Sequence, residues 1–544
     1  MLERLIADSR ALEEALDNYL QTVRTIRDLY VDAQPITTIS PKLAAALAAQ
    51  FSIIGTFKEK LDLTKRVAGR SMNTSSSLVP IHMLPSEILT CVFKLALDTS
   101  SSPYHSDVGW YRDFQMVISV CSYWHQVAFD LPDLWTHIDL QVTVKQDDEI
   151  DDYFMIPNFN LAKFQVTNCA QMRLDVHIID DTSIASPGHS TTCTSLVPFI
   201  ASIAPRVRSL IFEAWIPPAY RCVLTALFNN CTPGKFSALV TRIDLSEIYF
   251  LDTKANPELS GSDLLFEVDE KHLDEVYQGM TVLELGSVYP RWSSMGYRGP
   301  TELRLKGGHT GVTERQLVEA LKRCPGLRVL ECAIHLTGSL GIDEPVDPIP
   351  LNDLEVVNLG LNEYWRADNI LRWLAPGAKP LQLSITEADF SRPHLVPFLA
   401  RSNITKLYLQ ECDLINTSAM HCVHHLPRLQ TMVLAYTRAA AKQRPQPCYR
   451  DDRSENVPSS LETLYILDHH CVDSGPFQGV LSLKSLRHVV FYCCNFGSPE
   501  RFLSELSLLN PRVDLRIVPE DEFNPAGEWE LFSPKDFFGN IYYF

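Results

Sequence analysis

Apolar positions recur at steps of three and four through Leu2, Leu5, Ser9, Leu12, Leu16, Tyr19, Val23, Ile26 and Tyr30, and only Ser9 interrupts the stripe. That spacing predicts a helix of about four heptads with one apolar seam. Pro35 breaks the pattern, and Ser40-Pro41 supplies an N-cap followed by proline at the first helical position. A second stripe follows at Leu43, Leu47, Gln50, Ile54, Phe57 and Leu61. Two such helices joined by a short turn fold back as a helical hairpin or zip against another copy as a coiled coil, and residues 1–66 are assigned to that module. Residues 67–80, with Gly69, Ser71, Asn73, Thr74 and Ser75 to Ser77, read as a small-polar linker.

From about residue 131 a longer period takes over, in which an apolar-x-apolar pair recurs with another apolar residue three positions before it. Leu327-Arg-Val-Leu330-Glu-Cys332, Ile404-Thr-Lys-Leu407-Tyr-Leu409 and Leu461-Glu-Thr-Leu464-Tyr-Ile466 are clear instances. The central residues Leu303, Leu330, Val357, Leu383, Leu407 and Met432 are spaced by 27, 27, 26, 24 and 25 residues, and Leu464, Val489 and Leu515 continue after a gap of 32. The gap coincides with the polar stretch Thr437 to Ser460, which reads as a surface insertion. Ile138, Leu174, Leu210, Ile243 and Leu283 mark earlier, wider units padded by loops. These spacings fall in the leucine-rich-repeat range, and Asn362, Cys412 and Cys494 occupy the position where that consensus carries Asn or Cys. The expected fold class is therefore α/β: an irregular leucine-rich-repeat solenoid over residues 138–518, followed by an acidic and aromatic tail over 519–544.

Between linker and solenoid stand Leu84-Pro85-Ser86-Glu87-Ile88-Leu89, Val92-Phe93 and Leu95, then Val117, Val120-Cys121-Ser122-Tyr123-Trp124 and Leu134-Trp135. Pro85 is expected in the first turn of a helix, where no amide donor is needed. Its apolar residues, Ile88, Leu89, Cys91, Val92, Phe93, Leu95 and Leu97, cover roughly 240° of the helical circumference, too wide a band for one contact face. A second helix, expected over Phe114 to Phe129, has the same character. Such helices need burial on more than one side, which a segment of this length does not supply by itself.

The ordered set of motifs over residues 81–137 resembles the F-box, the short all-α module of ubiquitin-ligase substrate receptors. The loop near 98–113 departs from the family, whose connection between these helices is much shorter. The resemblance implies a substrate-recognition subunit of a Skp1-cullin-F-box ligase, with a Skp1-like adapter and, through it, a cullin-RING ligase as partners. It implies adapter contacts at Leu84, Pro85, Ile88, Leu89, Phe93, Val120, Cys121 and Trp124. The chain itself would be no enzyme and would need no cofactor, since catalysis would come from proximity. Two other readings compete: a repeat scaffold without a ligase role, and residues 81–137 serving only as a cap on the solenoid.

Alternation along the strands places Lys406, Tyr408 and Gln410 on one face with Tyr465, His488 and Tyr492, a row offered as the contact surface for an unknown protein substrate. The clusters His421-Cys422-x-His424-His425 and His469-His470-Cys471 lack the spacing of a structural zinc site, so no metal is expected. No G-x-S-x-G, P-loop or H-E-x-x-H motif occurs. The 48 Lys and Arg against 66 Asp and Glu give a net charge of −18, which argues against nucleic acid as a partner. Neither a secretory leader nor a membrane span is legible, and the 14 cysteines are scattered and include no C-x-x-C pair. A cytoplasmic or nuclear location is expected.

Overall fold

The structure, a computed structural model, describes residues 2–31, 41–73, 84–98, 109–147, 152–157, 159–180, 194–214, 217–242, 249–252, 262–265, 267–337, 346–360, 368–386, 394–410, 426–435, 460–468, 470–471, 483–496 and 498–519, with Gly341, Leu481 and Asn524. It divides into two compact units, Met1–Leu95 with Phe114–Ala128, and Ala96–Asp113 with Phe129–Phe544. Among the described residues no helix is long and apolar enough to cross a membrane.

The first unit consists of α1 (Leu2–Val31), α2 (Pro41–Asn73) and most of α3 (Ser86–Asp98), α4 (Gly109–Ser119) and α5 (Ser122–Phe129). The α1 and α2 helices meet within the chain: the Tyr19 hydroxyl donates to Gln50 Oε1 at 3.3 Å, and both residues lie on the apolar stripes. Much of those stripes nevertheless stays in solvent, including Leu5, Leu12, Leu16, Ile54, Phe57 and Leu61. Pro41 opens α2 as expected, but α2 continues through Gly69 to Asn73, so the first half of the expected linker is helix. One glycine costs a helix about 1 kcal/mol, and the good helix formers Lys65, Arg66, Ala68 and Arg70 around it offset that cost. Pro35, Ser40 and the rest of the linker lie outside the described residues.

In the second unit fifteen strands among the described residues form one sheet: β1 (His137–Asp147), β2 (Asp152–Pro157), β3 (Leu174–Asp180), β4 (Val207–Glu213), β5 (Ala238–Thr241), β6 (Val282–Leu285), β7 (Glu302–Thr313), β8 (Val329–Thr337), β9 (Val356–Leu359), β10 (Leu381–Thr386), β11 (Ile404–Gln410), β12 (Thr431–Ala435), β13 (Thr463–Leu467), β14 (His488–Tyr492) and β15 (Asp514–Val518). The edge strand β2 is antiparallel to β1; β1 then pairs with β3, and from there each strand pairs in parallel with the next in sequence. Helices such as Arg221–Asn230, Glu314–Lys322 and Leu395–Arg401 fill the crossovers that parallel pairing requires. The chain is thus mixed α/β with a large, mainly parallel sheet.

Register carries the sequence period into space. From Leu303 onward all nine markers lie opposite one another, Leu303 beside Leu330, Leu330 beside Val357, and so on to Val489 beside Leu515. Before Leu303 two markers are corrected. Val176 stands beside Ile138 and Leu210 in place of Leu174, two residues further along the same face. Leu239 stands between Leu210 and Leu283, while Ile243 falls outside the described residues.

Entry into the strands repeats as well. A tight turn precedes several of them, with Leu327 N–H donating to Cys324 O, Leu354 to Leu351, Leu429 to Leu426 and Leu486 to Leu483. The residue two places after the second inner position has a positive φ in successive units, 51° at Asp468 and 50° at Cys493. Just beyond it the Cys494 thiol donates to Ile466 O of the preceding strand at 3.3 Å, the role expected of that position. Asn362, Cys412, almost all of the Thr437 to Ser460 insertion and all of the 519–544 tail but Pro519 and Asn524 lie outside the described residues.

A buried ion pair holds one crossover. Glu314 opens the helix Glu314–Lys322 behind a Thr313–Gln316 capping box, and its Oε1 accepts from Arg372 Nη2 at 2.6 Å and Trp373 Nε1 at 2.5 Å.

Candidate functional site

The helical pair that carries the F-box-like motifs starts from two caps. Pro85 is the N-cap of α3, its carbonyl accepting from Ile88 N at 3.0 Å and Leu89 N at 3.1 Å, one position earlier than expected. The expected helix Phe114 to Phe129 is two helices, α4 and α5, broken at Val120-Cys121. Cys121 caps α5 as a serine would: its Sγ accepts from Trp124 N at 3.4 Å and its carbonyl from His125 N at 3.0 Å. Within the expected loop near 98–113, Gly109 to Asp113 already belong to α4, and residues 99–108 lie outside the described residues. Tyr123 is a positioning residue that the motif reading did not single out; its hydroxyl donates to Leu84 O at 3.3 Å and ties α5 to the start of α3.

The wide apolar band on α3 resolves into two stripes. Leu89 and Phe93 are fully buried, and the Phe93 ring meets the Trp124 indole with centroids 5.0 Å apart. The second stripe, Ile88, Cys91, Val92 and Leu95, has the i, i+3, i+4, i+7 spacing of one helix face and stands in solvent, with Ile88 49% and Leu95 66% exposed. Met116 near the end of α4 and Val120 just after it are exposed too.

The eight expected adapter residues therefore fall into two groups. Leu89 and Phe93 are buried and, with the part-buried Leu84, Cys121 and Trp124, shape the helical pair. Pro85, Ile88 and Val120 are surface. Trp124 Nε1 is a buried donor without a hydrogen-bond acceptor among the described residues. The second stripe of α3 is an exposed apolar helix face.

On the sheet, Lys406, Tyr408 and Gln410 do share a face with Tyr465, His488 and Tyr492: Tyr408 lies beside Val433 and Val433 beside Tyr465, while Leu467 lies beside Tyr492. The openness expected of that face is corrected. Tyr408 is 3% exposed and Gln410 is buried, and Tyr408, Val433, Ala435 and Leu467 form an apolar cluster against which Tyr465 and Tyr492 pack. Strands apolar on both faces, such as Met432-Val433-Leu434-Ala435, are strands buried on both faces. Lys406, Tyr465 and Tyr492 are half-buried, and only His488 is exposed, with Nδ1 3.4 Å from Asp514 Oδ2.

Followed toward β1, the same row of the sheet changes character. Tyr408 is continued by Ser384, Asn358, Glu331, Arg304 and Glu284, and at the far end by His177 and Asp139. Contacts between acidic side chains and basic or imidazole groups cross β1, β3, β4, β6 and β7: Asp139 with His137 and His177, His177 with Glu213, Glu213 and Glu284 with Arg242, and Glu284 with Lys306. Next to them Arg304 Nη1 donates to the fully buried Glu331 at 2.7 Å. Burial raises the Glu331 carboxyl above its usual range despite Arg304. Burial would also raise Asp139, but hydrogen bonds from His137 and His177 hold it far below the ordinary carboxylate range. His177 is shifted upward, because Asp139 and Glu213 outweigh the opposite effect of its burial.

This ionic row escaped the motif reading. Its members sit one or two per strand, tens of residues apart, and only the strand register brings them together. The signal available was a charge in the middle of an apolar-x-apolar pair, as in Leu303-Arg-Leu305 and Leu330-Glu-Cys332. Of the two histidine clusters set aside as metal sites, His421 to His425 lie outside the described residues, as does His469. No protein-family model matches the chain, and no curated protein matches it either.

Proposed function

We propose that this chain is the substrate-recognition subunit of an SCF-type ubiquitin ligase, binding a Skp1-like adapter through residues 81–137 and a protein substrate through a leucine-rich-repeat solenoid. The observation that carries the reading is the second apolar stripe of α3, Ile88, Cys91, Val92 and Leu95, left exposed inside an ordered F-box-like motif. In this reading Ile88 and Val120 insert into the adapter, while Leu89, Phe93 and Trp124 hold the helices that present them. The strand ladder in register, with its recurrent entry turns and left-handed exits, supports reading the large sheet as a solenoid of repeats. Substrate would be held near a conjugating enzyme, and the rate gain would be one of effective concentration, with no catalytic group contributed by this chain.

The test is co-purification. Full-length protein should carry a Skp1-like adapter through affinity capture, and Ile88→Asp with Val120→Asp should lose it while keeping the thermal transition. A folded wild type that captures no adapter in a direct assay contradicts the proposal. The exposed stripes of α1 and α2 favour a second reading, an adapter-bound scaffold that self-associates through these helices; removing residues 1–73 and measuring solution mass separates the two, since an unchanged monomer argues against it.

A further inference from the structure

We infer that the start of the large sheet holds a divalent transition-metal ion of the zinc class, ligated by His137, Asp139 and His177. His137 and Asp139 are two residues apart on β1, so they point to one face, and His177 lies directly opposite Asp139 on β3. One ligand atom from each converges within 4.8 Å of the others. Asp139 Oδ1 lies 3.0 Å from His137 Nε2 and 3.2 Å from His177 Nδ1. Metal–ligand bonds of about 2.0–2.2 Å in a tetrahedral site place neighbouring ligand atoms about 3.3–3.5 Å apart, close to the two distances from Asp139, while the imidazole nitrogens lie within 4.8 Å of each other and close on the ion.

The surroundings match a ligand set. The other ring nitrogen of His177 faces Glu213 Oε1 at 3.5 Å, so a carboxylate stands behind the imidazole, as is common for a metal-ligating histidine. Two imidazoles and one carboxylate suit zinc and its neighbours in the first transition row, and are a poor set for calcium or magnesium. His137 and Asp139 remain partly accessible, leaving a fourth position for water or for a group from a partner. Bound there, the ion joins β1 to β3, two strands whose ligands are 38 residues apart in sequence.

The experiment uses the full chain, stripped with a chelator and titrated with zinc by calorimetry and with cobalt by visible spectroscopy. Wild type should bind one ion at this site, show the visible bands of tetrahedral cobalt and melt at a higher temperature with zinc than without. His137→Ala and Asp139→Asn should each weaken that binding by roughly tenfold to a hundredfold or more and remove the zinc-dependent shift in melting. His137 is part-exposed, so its variant, checked by circular dichroism without metal, separates lost ligation from lost folding. Wild type that binds no zinc, or variants that bind it as wild type does through the chain's other histidines and cysteines, overturns the inference.

Discussion

In the sheet unit the apolar residues that repeat along the chain are enclosed: Leu330, Leu407 and Leu464 are each at most 1% exposed. In the helical unit α3 encloses one stripe, Leu89 and Phe93, and leaves the parallel stripe of Ile88, Val92 and Leu95 in water. Both units draw on the same kinds of side chain, so hydrophobicity alone does not separate core from interface. The sheet adds a strand per unit and each strand is flanked by the next, whereas among the described residues the second face of α3 is left in solvent. An apolar side chain buried within its own unit contributes to stability; one left exposed in a regular row is what the proposed adapter contact would use.

The largest test of this contrast breaks the enclosed side. Arg372→Ala takes the guanidinium away from the buried Glu314 carboxylate, and breaking a buried ion pair by removing one partner costs about 3–5 kcal/mol. Thermal denaturation should show the sheet unit melting far earlier. A shift of a degree or less would mean that Glu314 is not enclosed as described.

A matched pair sharpens it further. Leu407→Ala removes a side chain from a closed core and should cost about 2–5 kcal/mol. Ile88→Ala removes the same kind of surface from an exposed stripe and should stay within about 0.5 kcal/mol. Equal losses on chemical denaturation would erase the distinction between the two regions.

The smallest effect, and the most local, is thiol reactivity. Burial pushes the Cys324 and Cys332 thiols up to about 12, so near pH 8 they are almost entirely protonated as well as inaccessible. Cys91 is exposed in the middle of the α3 stripe. Alkylation followed by mass spectrometry should label Cys91 quickly and leave the two buried thiols unlabelled, and bound adapter should protect Cys91. The sheet thiols reacting as fast as Cys91 would contradict the enclosure.

The parts of this molecule that were legible in the sequence are those where one residue's environment repeats. From Leu303 to Leu515 each inner leucine meets the same neighbours, so the period survives loops and one insertion. It slipped at Leu174, because Leu174 and Val176 are both buried on one face and the residue opposite Ile138 and Leu210 is Val176. The helix break at Cys121 was missed because a thiol serving as an N-cap carries no sequence mark of its own. The burial of Tyr408 was missed because alternation says which residues share a face and not whether that face is covered. The pairing of His137, Asp139 and His177 depended on register between strands, which no single segment encodes.

In the proposed function, α3 presents an apolar face to a ubiquitin-ligase adapter. The measurement that tests it most directly is a titration of the full-length chain with a purified Skp1-like adapter, alongside the Ile88→Asp, Val120→Asp double variant. A saturable one-to-one complex with wild type, weakened by roughly a hundredfold or more in a variant of unchanged thermal stability, is the expected result. No binding by folded wild type, or equal binding by the variant, would contradict it.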